Sequence, residues 1–255
     1  MKEEREKISA GSMVELIGRY AAERPERLCV ADPRRAYTYE EFAALVDKKA
    51  GALKRLGIRR GDRVMARASQ RGDYLALHFA AHRLGAVFVP VERSLPEEGI
   101  GRLQRITGAG QVFYDSRIEG ESGGISLGPW PWPEPEETAT ILFTTGTTGA
   151  SKGIELSHRA EVAVAQNVYY GTQMEEGTVE LVPMPVNHSY GLRHCLGLLL
   201  GGQSIVLCDG VTMAEDFYRM MDRYEVNALS LTPAAFNILR SLSGERLGDY
   251  AGRLR

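Results

Sequence analysis

Thr144-Thr145-Gly146-Thr147-Thr148-Gly149-Ala150-Ser151-Lys152-Gly153 is the stretch that decides how this chain is read. Its ten residues hold four threonines, three glycines, one serine and one lysine, and the apolar run Ile141-Leu142-Phe143 precedes them. The layout predicts a buried strand ending in a hydroxyl-rich loop with one mobile cation. Glycine permits turns that other residues resist and lets backbone N–H groups approach a ligand closely. Successive free N–H groups make a concave anion site, and hydroxyls and a lysine add donors. The chemistry this suits is holding a polyphosphate. The common P-loop, Gly-x4-Gly-Lys-Ser/Thr, is not met: five positions after Gly146 stands Ser151, and Gly153 follows Lys152. A Gly/Thr turn between strands would account for GTTG alone. The strand before it and the Ser-Lys-Gly after it favour the phosphate loop.

Continued into Ile154-Glu155-Leu156-Ser157-His158, the stretch resembles the signature loop of the adenylate-forming superfamily. That family includes acyl- and aryl-CoA ligases, adenylation domains of peptide synthetases, and luciferases. Ser151 stands where its usual pattern has proline, a change that bears on loop stiffness more than on chemistry. His82-Arg83-Leu84-Gly85-Ala86-Val87-Phe88-Val89-Pro90-Val91 resembles the family's helix-to-strand segment and carries a purely structural role. Pro183-Met184-Pro185-Val186-Asn187-His188-Ser189-Tyr190-Gly191-Leu192 resembles its P-x-F-H-x-x-G segment. The resemblance implies that Thr144, Thr145, Gly146, Thr147, Thr148, Gly149 and Lys152 bind ATP phosphates. It implies that His188, Tyr190 and Gly191 belong to the acyl pocket, with His188 as a gate between its nucleotide and carboxylate sides. Taken alone, His188 also reads as a satisfied loop histidine. No aspartate occurs in this segment, which weighs against an amino-acid substrate.

Composition excludes several other classes. The 255 residues suffice for one large domain or two lobes, and 44% apolar and 25% charged residues are ordinary for a soluble globular protein. A net charge of −2 gives no basic surface for nucleic acid. Cys29, Cys195 and Cys208 form no CxxC pair, so a reducing compartment is expected, without a disulfide framework or zinc site. MKEEREKISAGS is too charged for a signal peptide, and Leu196 to Leu200 is too short to span a bilayer. A cytoplasmic protein is the expectation.

Apolar periodicity predicts alternating strands and helices, hence an α/β fold of mainly parallel sheet flanked by helices. Residues 1–12 read as a flexible lead, and 117–137, with GESGG and Trp130-Pro131-Trp132-Pro133, as a surface loop. Thr38-Tyr39-Glu40-Glu41 predicts a capping box. Helices are expected over 73–84, 97–107 and 158–170, and strands over 63–68, 86–91, 179–183 and 228–231. His78 and His82 stand at i, i+4, but Phe79 takes the place of the glutamate that follows the first histidine in the catalytic zinc motif. They read as part of a helix surface or lobe interface, and no metal site and no catalytic residue are assigned. By family topology, 13–255 is a partial adenylation domain, one lobe spanning 61–178 and the other 13–60 plus 180–255.

The resemblance implies activation of a carboxylic acid by ATP with Mg2+ to an acyl-adenylate, followed by transfer to the thiol of CoA. It runs through nearly the whole chain, yet covers about the first half of the family's usual length. The family's Gly-Gly-Ala adenine turn, Tyr-Gly-x-Thr-Glu segment, ribose aspartate, hinge and catalytic C-terminal lysine have no counterpart in the sequence. The expectation is the N-terminal part of an AMP-forming acid–thiol ligase, inactive in isolation. Its second lobe would be short of strands and would self-associate or take up a complementary half. Two alternatives stay open: a non-catalytic module, split or degenerate, that binds a nucleotide or partner, and an acyl-AMP ligase with a carrier-protein acceptor.

Overall fold

Among the described residues, alternating strands and helices assemble into two five-stranded sheets with helices between them and outside them. In order along the chain they are α1 (Met13–Glu23), β1 (Leu28–Ala31), β2 (Ala36–Thr38), α2 (Tyr39–Arg55), β3 (Arg63–Arg67), α3 (Gly72–Arg83), β4 (Val87–Val91), α4 (Glu97–Thr107), β5 (Gln111–Phe113), β6 (Thr138–Phe143), β7 (Gly153–Ser157), α5 (His158–Gly171), β8 (Val179–Val182), α6 (Ser189–Leu200), β9 (Ser204–Leu207), α7 (Ala214–Arg223), β10 (Ala228–Leu229) and α8 (Pro233–Ser243). The computed structural model describes residues 7–116, 118, 133–143 and 152–255.

The first sheet runs β10-β8-β9-β1-β2 and the second β5-β3-β4-β6-β7. In each, the last-named pair is antiparallel and the others are parallel. Side chains alternate between the faces of a strand, and the packing follows. Val30, Ile205 and Leu207 of the first sheet and Val64, Ala66 and Phe88 of the second face one shared core, filled by α1, α2, α3, α5 and α6. Ala31, Leu181 and Val206 face outward under α7 and α8. Met65, Val87 and Val89 face outward under α4. The layers are therefore helix, sheet, helix, sheet, helix. The central layer buries Tyr39, Phe42, Tyr74 and Phe79 completely. Burying an apolar side chain of this size is worth about 1.5–3 kcal/mol.

Local signals act as the sequence implies. Thr38 Oγ1 accepts the Glu41 N–H at 3.2 Å, and Glu41 Oε2 accepts the Thr38 N–H at 3.0 Å, closing the capping box of α2. Gly108 takes the left-handed conformation (φ 70°) that ends α4. Two strands lacked a readable signal. β2 is three residues long and follows a turn in which Asp32 Oδ1 accepts the N–H groups of Arg34 and Arg35. β7 is a mostly exposed edge strand without clean alternation. β10 stops at Leu229, short of the expected 231.

Of the two readings of His78 and His82, helix surface or lobe interface, the first is corrected: both are buried, at 1% and 0% exposure. All but Asp73 of α3 is buried, because the helix lies inside the central layer. Nearly all-round apolar character is what a helix in such a layer needs.

Candidate functional site

Of the sequence-predicted site residues, His188 follows the carboxyl end of β8. In open α/β sheets ligands bind in the crevice just beyond those ends. Here a cavity of 880 Å³ is lined by the segments that leave β3 (Ala68–Gln70), β4 (Glu92–Ser94), β8 (Pro183–His188) and β9 (Asp209–Thr212), and by the start of α8, which follows β10. Both sheets thus point their carboxyl ends into one crevice.

In the sequence the Thr/Gly-rich stretch connects β6 to β7. β6 pairs antiparallel with β7, and Phe143 stands opposite Gly153. The segment between them therefore begins and ends at one point of the sheet. Thr144, Thr145, Gly146, Thr147, Thr148 and Gly149 lie outside the described residues. Lys152, which immediately precedes β7, is exposed. A second cavity, of 570 Å³, opens between the hairpin and α5–α6; Leu142, Phe143, Ile154, Leu192 and Leu196 give it an apolar wall.

His188 and Asn187 line both cavities. His188 is the extended N-cap residue of α6 (φ −104°, ψ 151°), makes no side-chain capping bond and is exposed. Tyr190 is placed differently. Its ring packs on His194, with centroids 4.9 Å apart, and under the Arg193 guanidinium at 4.7 Å; it lines neither cavity. Gly191 is a packing position: a Cβ there would lie 2.4 Å from the Pro185 carbonyl oxygen and 2.5 Å from that of Met184.

Gln70 is a site residue that sequence reasoning missed. Its Nε2 lies 3.1 Å from the Val182 carbonyl oxygen, 3.0 Å from that of Met184 and 3.2 Å from that of Cys208. Its Oε1 accepts the Val186 N–H at 3.0 Å. One side chain from the second sheet therefore holds the backbone that leads to His188 in the first. A lone glutamine after a strand carries no signal for this in the sequence.

A second unforeseen group lies beneath β6. Thr140 Oγ1 donates to Glu161 Oε1 at 2.7 Å, His78 Nε2 lies 3.3 Å from Thr140 Oγ1, and His82 Nε2 lies 2.9 Å from the Ala139 carbonyl oxygen. His78, His82, Glu161 and His158 are all buried. Desolvation pushes the Glu161 carboxyl up to about 7, against the bond from Thr140. Desolvation, with the nearby His158, lowers His78 to about 3. It lowers His158 to about 4, opposed by Glu137 and reinforced by Arg60. His82 is held well below its ordinary value by desolvation and by His78 and His158, with the Ala139 carbonyl opposing. All three imidazoles are therefore neutral at pH 7.

A family model described as AMP-binding enzyme matches residues 17–124 and 118–255. Malpibaldin synthetase of Mortierella alpina is 24% identical over 247 residues, covering 88% of this chain and 4% of that protein. The L-proline--[L-prolyl-carrier protein] ligase of Pseudomonas fluorescens is 29% identical over 175 residues, covering 57% of this chain and 34% of that protein. Among solved structures, the Klebsiella oxytoca NpsA N-terminal subdomain in complex with anthranilyl-AMSN superposes with a TM-score of 0.82 at 21% identity, covering 92% of this chain and 65% of that one. The chain thus spans about a third or less of the length of these two curated relatives. Among the described residues, no helix is long and apolar enough to cross a membrane.

Proposed function

The chain belongs to the AMP-binding enzyme family, and on that premise we propose that it supplies the polyphosphate loop and part of the carboxylate pocket of an adenylate-forming ligase. The observation that carries this reading is a pair of cavities that share Asn187 and His188: one at the carboxyl ends of β3, β4, β8 and β9, the other lined by Phe143, the residue before the Thr/Gly-rich stretch. The lobe division belongs to the same proposal: 61–178 and 13–60 plus 180–255 flank the crevice.

In the proposed reaction a carboxylate oxygen of the acid attacks the α-phosphorus of ATP. The bond to the β-phosphate's bridging oxygen breaks and pyrophosphate leaves. Little covalent chemistry falls to the protein, so positioning and charge stabilisation do the work. The hydroxyls of Thr144, Thr145, Thr147 and Thr148, the N–H groups of Gly146 and Gly149, and the Lys152 ammonium hold the β- and γ-phosphates. His188 stands where the acid meets the nucleotide, and the apolar wall of the 570 Å³ cavity takes the acid's organic group. Tyr190 and Gly191 serve by fixing the start of α6. Mg2+ takes oxygen ligands and keeps several waters. The His78-His82-Glu161 cluster, two-thirds nitrogen, does not suit it, so Mg2+ is proposed to arrive on the ATP phosphates.

The acceptor is proposed to be a thiol. Similarity to a relative named as a carrier-protein ligase supports a carrier-protein thiol; CoA is the alternative. A complementary polypeptide or a second copy is the proposed partner at β10, the outer strand of the first sheet.

ATP–pyrophosphate exchange across a panel of carboxylic acids tests this reading. Exchange is expected when the 255 residues are supplied with the remaining segments of an adenylate-forming domain, and is expected to be absent from the 255 residues alone. Absence of exchange with every acid in the supplemented mixture would overturn it. Saturable nucleotide binding without exchange there would favour a non-catalytic module.

A further inference from the structure

The buried group beneath β6 has no role in the chemistry above. His78 and His82 sit one turn apart on α3, so their rings project from one face of the helix. Glu161 reaches them from α5. His78 Nε2 is 4.0 Å from Glu161 Oε1, and His82 Nδ1 is 3.8 Å from Glu161 Oε2. One ligand atom from each residue lies within 4.8 Å of the others. We propose that His78, His82 and Glu161 form a binding site for a zinc-type divalent metal ion, joining α3 to α5 directly under the strand that leads into the phosphate loop.

Three observations support the assignment. First, His82 Nδ1 and Glu161 Oε2 are buried and have no hydrogen-bond partner. Buried polar atoms are rarely left so, and each costs about 1–3 kcal/mol. The two atoms face one another at a separation too long for a hydrogen bond. Second, with Nε2–H donated to the Ala139 carbonyl oxygen at 2.9 Å, the His82 lone pair is at Nδ1, aimed toward Glu161. A ligating histidine usually donates its other N–H to a carbonyl or carboxylate in this way, which fixes tautomer and ring orientation. Thr140 likewise orients the carboxylate through its 2.7 Å bond to Oε1. Third, tetrahedral zinc ligands at about 2.0–2.2 Å from the metal lie about 3.3 Å from one another. The two separations to Glu161, 4.0 and 3.8 Å, exceed this by roughly 0.7 and 0.5 Å, and the third, within 4.8 Å, by up to about 1.5 Å, so the site closes around the ion by side-chain adjustment.

The donor set also selects the metal. Two imidazoles and one carboxylate suit zinc and its neighbours rather than calcium or magnesium. Glu161, itself 0% exposed, forms part of the wall of the 570 Å³ cavity, the side from which the site is approached in this proposal. Around the three ligands stand Thr140 and Ala139 on β6, Phe88 on β4 stacked on His78 at 4.5 Å, and His158 on α5 with its ring 4.9 Å from that of His82. Among these neighbours the titratable group is His158, which Glu137 and Arg60 influence from farther out.

The test uses the 255-residue chain, stripped with a chelator and titrated with Zn2+, Co2+ or Mg2+. Equilibrium dialysis with elemental analysis is expected to find a single Zn2+ per chain, and Co2+ to give the visible absorption of a tetrahedral site. At a hundredfold excess over Kd, Zn2+ is expected to raise Tm by about 5 °C or more, while Mg2+ leaves it unchanged. The triple variant His78→Leu/His82→Leu/Glu161→Leu is expected to unfold cooperatively without metal and to lose the Zn2+ response, since apolar replacement of a buried polar or ionic cluster is often neutral or stabilising. Glu161→Gln keeps the volume and is expected to weaken Zn2+ binding at least about tenfold, on the scale typical of losing a group that supports a metal site. Wild-type chain that takes up no Zn2+ overturns the proposal. So does undiminished uptake by either variant, which would assign binding to surface groups or to the three cysteines.

Discussion

Acidification from pH 7 to pH 5.5 is expected to destabilise the metal-free fold, and the buried group under β6 fixes the sign. Unfolded histidines take up a proton below about pH 6.5. Folded His78 and His158 resist until about 3 and about 4, and His82 resists further. The unfolded state therefore binds more protons in this window, and stability falls with pH. Glu161 acts in the opposite sense. Its folded carboxyl holds a proton up to about 7, whereas an unfolded glutamate releases its own above about 4.5. Ionisation of Glu161 thus costs stability as pH rises, and its protonation restores some as pH falls. Each proton of difference is worth about 1.4 kcal/mol per pH unit. Over this interval the three histidines together remove about 4 kcal/mol and Glu161 returns about 1.5, leaving a net loss of about 2 kcal/mol. Urea denaturation at the two pH values, with a chelator present, reads this as a lower midpoint at pH 5.5. In His78→Leu/His82→Leu the remaining histidine and Glu161 nearly cancel, so the drop is expected to vanish. An unchanged or higher wild-type midpoint at pH 5.5, or the full drop in the double variant, would refute the reasoning.

Other perturbations bear on the site itself. Gly191→Ala drives a Cβ into the carbonyl oxygens of Pro185 and Met184, and is expected to cost about 1–3 kcal/mol in denaturant unfolding; an unchanged midpoint would mean that the start of α6 yields freely. Gln70→Ala removes the clamp on 182–186 and leaves buried backbone groups unpaired, for a loss of about 2–3 kcal/mol; hydrogen exchange should accelerate at the Val186 amide, and unaltered protection there would contradict the clamp. Phe236, Ile238 and Leu242 of α8 are 43%, 43% and 54% exposed, near the outer strand of the first sheet. Self-association of the 255-residue chain, read by sedimentation, is expected to weaken in Phe236→Ser/Leu242→Ser; a monomer at high concentration would count against this surface.

Much of this architecture was legible because the signals were local. The Thr38–Glu41 box, Gly108 after α4 and Pro233 at the start of α8 are short-range devices, and each acts within a few residues of its signal. The apolar run before Thr144 reads as a strand because every parallel strand of this sheet needs β-forming residues. β2 and β7 gave no such signal, since a three-residue strand and an exposed edge strand hold their positions through their neighbours. Motif and spacing pointed to Lys152 and His188, but could not separate His188, at the shared cavity wall, from Tyr190, which turns away. Gln70 and Glu161 were invisible for a deeper reason. Their partners lie 112 to 138 and 21 residues away, and only the meeting of layers brings them together. The i, i+4 histidines were visible as spacing, but the carboxylate completing them came from another helix.

The claim at the centre of the account is that the stretch from Thr144 to Lys152 cradles a polyphosphate. Calorimetric titration of MgATP into the 255-residue chain, beside the exposed and therefore structurally tolerant Lys152→Ala variant, tests it most directly. Saturable binding is expected, competed by pyrophosphate and weakened about tenfold or more by loss of the lysine charge-assisted contact. No binding by the wild-type chain, or equal affinity in the variant, would contradict it.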